Sequence, residues 1–191
     1  GGGSSDAAAV LRGLNKLWQL GLSRKELAKI GLEIDSDVPF CIYSEPAFVT
    51  GKGEIVIPIG PLPLLKLIIA KPRDSVSTPS ILRKIDYDKI KHQDVDAVVC
   101  AIKAQDYATM VTKMGNTLEP ITARRHPEIL KIKEKMLQFG CDAAQMSGSG
   151  PTVFGVCQKA SRAQHIYNSL RGFCKEVYIV SPYNLDQQTC F

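Results

Sequence analysis

Apolar residues recur at helical spacing from the start of the chain. Ala7-Ala8-Ala9-Val10-Leu11 is followed by Leu14, Leu17 and Trp18, which predicts a buried amphipathic helix ending near Gly21. Gly1-Gly2-Gly3-Ser4-Ser5-Asp6 leads into it as a glycine-serine loop. Ser23 and Glu26 stand at capping-box spacing and predict a short helix that stops at Gly31. Asp35-Ser36-Asp37-Val38-Pro39-Phe40 reads as an acidic turn between that helix and a strand. Period-two stretches then predict strands at Ala47–Thr50 and Glu54–Ile59, joined by a Gly51-Lys52-Gly53 turn.

Gly60-Pro61-Leu62-Pro63 marks the expected domain boundary, dividing the chain into residues 1–60 and 61–191. Beyond it, Leu64–Ala70 reads as a buried strand closed by Lys71-Pro72, and Ser77-Thr78-Pro79 begins a helix with proline in its first turn. Asp94–Met114 is predicted helical in two pieces. His126-Pro127 opens a helix with Ile129, Ile132, Met136 and Leu137 on one face and Gly140 just past its end. Strands follow at Ala143–Met146 and Thr152–Cys157, flanking the turn Ser147-Gly148-Ser149-Gly150-Pro151. Ser161–Leu170 is predicted as a helix, with Ser161 and Gln164 at capping-box spacing, and Glu176–Ser181 as a last strand. The fold class is α+β.

Composition narrows the class of protein. In 191 residues, 45% hydrophobic and 23% charged content is ordinary for a globular chain. No apolar run is long enough to span a bilayer and no signal peptide is evident, so a cytoplasmic protein without a membrane partner is expected. The six cysteines form no Cys-x-x-Cys pair and no zinc-finger spacing with histidine, and most lie in apolar segments such as Val-Val-Cys. They read as reduced, mostly buried thiols. The net charge of +5 is spread along the chain without basic runs, which argues against a nucleic-acid partner and suits an enzyme of phosphorylated substrates.

Three segments can carry chemistry. The opening Gly1, Gly2, Gly3, Ser4 and Ser5 combine close backbone approach, hydroxyl donors and the positive end of the following helix, a combination suited to phosphate. A flexible terminal tail is the plainer alternative, and no Walker lysine follows. Asp37 can take the proton of a substrate hydroxyl or orient it. Asp35 competes for that role and spacing does not separate the two. Gly148, Ser149 and Gly150 form a second glycine-serine turn that can approach a ligand or can simply reverse the chain. Lys71 and Arg73, after a strand end, face either a phosphate or solvent. No metal ligand stands out.

In their order along the chain, Gly1-Gly2-Gly3-Ser4-Ser5-Asp6-Ala7-Ala8, Ser36-Asp37-Val38-Pro39-Phe40, Gly51-Lys52-Gly53-Glu54, Ser77-Thr78-Pro79 and Met146–Thr152 resemble the GHMP kinase superfamily. Within it the resemblance is to the 4-diphosphocytidyl-2-C-methyl-D-erythritol kinases of non-mevalonate isoprenoid biosynthesis, and it covers nearly the whole chain. It implies ATP and Mg²⁺ as cofactors and transfer of the γ-phosphate to the substrate's 2-hydroxyl. It also implies a small-molecule, cytidine diphosphate-linked substrate and a monomer or homodimer. The residues map as Gly1–Ser5 on ATP phosphates, Asp37 as the catalytic aspartate, and Thr78, Gly148, Ser149 and Gly150 on substrate. The implied fold joins the remainder of a ribosomal-S5-like α/β domain to a ferredoxin-like C-terminal domain. Relatives carry a segment ahead of the loop with a catalytic lysine, so the chain is expected to be an N-terminally truncated fragment, weakly active or inactive alone. Leu82 replaces an aromatic and Asp35 a glycine found in many relatives. Another small-molecule kinase of the superfamily and a non-catalytic module that kept the fold are the alternatives.

Overall fold

The computed structural model describes residues 2–73, 75–86 and 90–182. They fall into two units, one ending at Pro61 and the other running Leu62–Pro182.

The first unit contains α1 (Gly2–Leu17), α2 (Arg24–Leu32), α3 (Val38–Tyr43), β1 (Ala47–Thr50) and β2 (Ile55–Pro58). Ala8, Leu27, Ala28, Val38 and Ile42 form its core. α1 uses Ala7, Ala8 and Leu11 against α2 and α3, while Val10, Leu17 and Trp18 are exposed, so the buried face is narrower than the apolar spacing predicts. The helix also stops earlier than Gly21: it closes at Leu17, and Gln19 turns left-handed at φ 52°. α2 begins with the expected capping box, in which the Ser23 hydroxyl accepts from the Glu26 N–H and Glu26 bonds back to the Ser23 N–H. Gly31 does not end α2. It lies inside it, buried, where an added Cβ would come within 2.5 Å of Val38 Cγ1 on α3. Val38-Pro39-Phe40, expected within a turn, is the first turn of α3, with Pro39 placed where a helix tolerates it. β1 and β2 pair antiparallel in a hairpin, Ala47 opposite Pro58 and Thr50 opposite Ile55.

The second unit runs β3 (Lys66–Lys71), α4 (Thr78–Leu82), α5 (Val95–Lys103), α6 (Tyr107–Lys113), α7 (Glu119–Ala123), α8 (Glu128–Gln138), β4 (Ala143–Met146), β5 (Val153–Cys157), α9 (Ala160–Leu170) and β6 (Glu176–Val180). The sheet order β4-β5-β3-β6, antiparallel throughout, is the ferredoxin-like arrangement of a split β-α-β-β-α-β unit. α8 and α9 cover one face through Ile129, Ile132, Met136, Ala163, Ile166 and Leu170. Leu64 lies before β3 and is 84% exposed, so the strand begins at Lys66 instead. Leu137 is exposed as well: one position past Met136 turns it off the buried stripe. Ser161 is inside α9, whose N-cap is Lys159 with no side-chain cap bond, so the second capping box is not formed. α7 has no counterpart in the sequence reading.

Cys141, Cys157 and Cys174 are buried free thiols, as the apolar context predicts, and burial pushes Cys141 up to about 12. Cys100 is exposed despite its Val-Val-Cys context, because it sits on the outer side of α5. Cys190 lies outside the described residues. Among the described residues, no helix is long and apolar enough to cross a membrane.

Gly155 lies in the middle of β5, where an added Cβ would come within 2.4 Å of Cys141 Sγ and 3.2 Å of Met136 Sδ. Gly155→Ala should therefore destabilise the protein by about 1–3 kcal/mol through overpacking, more than the chain-entropy gain of under about 1 kcal/mol. Urea denaturation measures it, and unchanged stability would contradict this packing.

Candidate functional site

In the first unit, Gly2, Gly3, Ser4 and Ser5 are the first turn of α1 and not a loop leading into it. Gly1 lies outside the described residues. First-turn N–H groups have no intrahelical acceptor and sit at the positive end of the helix dipole. An added Cβ at Gly2 or Gly3 would meet no atom within 4 Å, so no described residue demands glycine there. Glycine in a helix is costly, and open space beside such a backbone is what close approach of a ligand requires.

Asp35 joins this turn to Asp37. Its Oδ1 accepts from the Ser4 hydroxyl at 3.2 Å and from the Asp37 N–H at 3.0 Å, the latter an Asx-type turn. The Asp35 O accepts from the Val38 N–H at 3.1 Å, which starts α3 directly after the turn. Asp37 is thus the N-cap residue of α3, between two helices, and not a residue between a helix and a strand. Its carboxylate makes no cap bond and accepts no hydrogen bond among the described residues. It borders a 450 Å³ hollow lined also by Phe40, Val49 and Lys52. Burial, and after it the negative charge of Asp37, pushes the Cys41 thiol up. The far end of α3 is secured by Arg12, whose Nη1 donates to Cys41 O at 2.6 Å and Ser44 Oγ at 2.9 Å. Of the two acids that spacing left unresolved, Asp35 is engaged in structure and Asp37 is presented.

In the second unit, the turn between β4 and β5 closes with the Ser147 N–H donating to Thr152 O at 2.8 Å and the Gly150 N–H donating to Ser147 O at 2.9 Å. Gly148 and Gly150 take left-handed φ values of 56° and 84°, and the Gly150–Pro151 peptide is cis. At Gly150 a side chain would also be within 2.6 Å of Met146 Sδ. Thr78, the first residue of α4, meets this turn: its Oγ1 lies 2.7 Å from Ser149 Oγ. Two of the expected substrate residues are therefore in direct contact. Leu82, at the end of α4, is exposed.

Residues that the sequence reading passed over hold the turn from beneath. Asn116 Nδ2 donates to Met146 O at 2.7 Å and Gly148 O at 2.8 Å. The fully buried Thr122 donates its hydroxyl to Ser149 O at 3.2 Å. Glu119, 9% exposed, accepts the Met146 N–H at 3.0 Å and pairs with Lys133, which also donates to Gln145 Oε1 at 3.1 Å. A signal was available. Lys133 shares the apolar stripe of α8 with Ile129, Ile132 and Met136, and a lysine on such a stripe calls for a buried acid.

Two family models match the chain: the one described as GHMP kinases N terminal domain matches residues 1–45, and the one described as GHMP kinases C terminal matches residues 99–176. The chain is 70% identical over 180 residues to the 4-diphosphocytidyl-2-C-methyl-D-erythritol kinase of Ligilactobacillus salivarius, covering 94% of this chain and 62% of that protein. It is 60% identical over 188 residues to the kinase of the same name from Lactiplantibacillus plantarum, covering 98% and 65%. It thus spans less than two thirds of either relative. A crystal structure of 4-(cytidine 5'-diphospho)-2C-methyl-D-erythritol kinase is similar with TM-score 0.79 at 28% identity, covering 95% of this chain and 65% of that one. A homoserine kinase from Cytophaga hutchinsonii shares the fold, with TM-score 0.73 at 20% identity over 88% of this chain and 62% of its own.

Thr122→Val keeps shape and removes one hydroxyl donor, leaving Ser149 O without its bond. Amide exchange in residues 147–150 should accelerate by about three- to tenfold, with exchange in α9 unchanged. Equal acceleration in both segments would make Thr122 a general stability residue instead.

Proposed function

The chain belongs to the GHMP kinases, and from that premise we propose that it carries part of an ATP-dependent kinase acting on the 2-hydroxyl of 4-diphosphocytidyl-2-C-methyl-D-erythritol, in the cytoplasm. The observation that carries the reading is the double use of the Asp35 carboxylate, which ties the first turn of α1 to Asp37 through Ser4 and the Asp37 N–H. This tie sets the positive end of a helix dipole beside a carboxylate that accepts no hydrogen bond among the described residues. Phosphoryl transfer to an alcohol needs both groups. The names of the lactobacillar relatives support the choice of alcohol.

In this reading, Gly2 and Gly3 let the nucleotide phosphates approach the backbone of α1, and Ser4 and Ser5 add hydroxyl donors. Gly1 is assigned to the same role from the resemblance alone. Asp37 takes the proton of the acceptor hydroxyl as its oxygen bonds to the γ-phosphorus and the bond to the β-phosphate oxygen breaks, releasing ADP. Thr78, Gly148, Ser149 and Gly150 are assigned to the substrate, through the Thr78 and Ser149 hydroxyls and the backbone of the turn. Mg²⁺ would arrive with the nucleotide, whose phosphate oxygens supply several of its ligands. Among the described residues no group of three or more His, Cys, Asp or Glu side chains is placed to hold an ion.

Asp37→Asn in the whole protein should lower kcat by about 10²–10⁴-fold and leave ATP affinity nearly unchanged. ADP release in the presence of the cytidylyl alcohol, with nucleotide titration, measures both. Loss of ATP binding in step with kcat would return Asp37 to a structural role, and turnover of a different alcohol would redirect the substrate.

A further inference from the structure

A cleft of about 340 Å³ in the second unit lies apart from the Ser147–Pro151 turn in its lining, between α8 and the ends of β3 and β6. Its floor is apolar, made by Pro72, Ile132 and Cys174, all buried. Cys174 Sγ donates to Lys71 O at 3.3 Å and so joins the two strand ends beneath the cleft. The half-exposed ring of Phe173 stands at its edge, tilted against Phe139 with centroids 6.5 Å apart.

The rim is basic. Among the described residues, Lys71, Arg73, Lys131 and Lys175 line the cleft against one carboxylate, Glu128, which is itself 3.2 Å from His126. Lys71 is paired with Glu176 at 3.5 Å in an exposed bridge of small worth. The charged groups of Arg73, Lys131 and Lys175 have no hydrogen-bond or ion-pair partner among the described residues. They come from three separate segments: the loop after β3, the first turns of α8 and the loop before β6. Cations brought together this way repel one another, and a bound anion relieves that repulsion.

We infer that this cleft binds a phosphorylated small molecule carrying an apolar or aromatic portion. Three cations without a partner among the described residues match a phosphate dianion better than a single carboxylate. The apolar floor and the Phe173 ring offer the remaining surface to the body of the ligand. The volume lies within the range of small-molecule sites and is too small for a macromolecular groove. This site is independent of the phosphoryl-transfer reading and would survive its failure.

Phenyl phosphate and inorganic phosphate, titrated separately into the chain and followed by amide NMR, test it. Phenyl phosphate should shift the amides of Arg73, Lys131, Phe173 and Lys175 saturably below about 10 mM, binding about three- to tenfold more tightly than inorganic phosphate. The amides of Gly148 and Gly150 should stay in place. Lys131→Gln with Lys175→Gln, both exposed positions, should weaken phenyl phosphate by about tenfold or more, and Phe173→Ala should abolish its advantage over inorganic phosphate. The inference is overturned by any of three results: no saturable shift, binding unchanged in the double lysine variant, or equal affinity for the two probes in the unaltered chain.

Discussion

A carboxylate buried beside a β-turn is the constraint on which the second unit depends. Taking Glu119 out of water costs several kcal/mol unless the charge is matched and both oxygens are used. Lys133 matches the charge and the Met146 N–H uses the other oxygen. Because Lys133 stands on the face of α8 that packs against the sheet, the pair fixes α7 to α8 and the end of β4 to both. Asn116 and Thr122 then have fixed distances to Gly148 O and Ser149 O. The turn is consequently held by its carbonyls, and the Ser149 hydroxyl is left to meet Thr78.

The first unit uses the same device in a more exposed setting. Asp35 is engaged by Ser4 and by the Asp37 N–H, and the geometry of its turn starts α3 while the Asp37 carboxylate accepts no hydrogen bond among the described residues. Arg12 anchors the opposite end of α3 on the same helix whose first turn Asp35 holds. In each unit, then, one acid is structural so that neighbouring polar groups are presented. That division of labour is what makes Asp37 the better candidate for chemistry than Asp35.

The long elements were legible because their signals are local. α8 announces itself by Ile129, Ile132 and Met136, α2 by the Ser23–Glu26 box, and the β1–β2 hairpin by its glycine turn. Two of the short helices were not. α3 and α7 have only 6 and 5 residues, too few for a period, and both contain a proline that reads equally well as a turn. The identities of Asp37, Thr78 and Ser149 were visible in their motifs, but which of two acids is engaged, and what supports the second turn, depend on hydrogen bonds across 27 to 32 positions of chain. Periodicity overstated the burial of Leu17 and Leu137, because spacing alone does not give the width of the surface that a helix finds to pack against.

The most direct test of the Glu119–Lys133 constraint is native-state exchange of the Met146 amide in Glu119→Met, Lys133→Met and the double variant. Lys133→Met alone leaves a buried, unmatched carboxylate and should speed that exchange by about tenfold or more. Adding Glu119→Met should cost much less than the product of the two single effects, since the residues act as one unit. Single effects that multiply, or a Met146 amide indifferent to Lys133, would contradict the account.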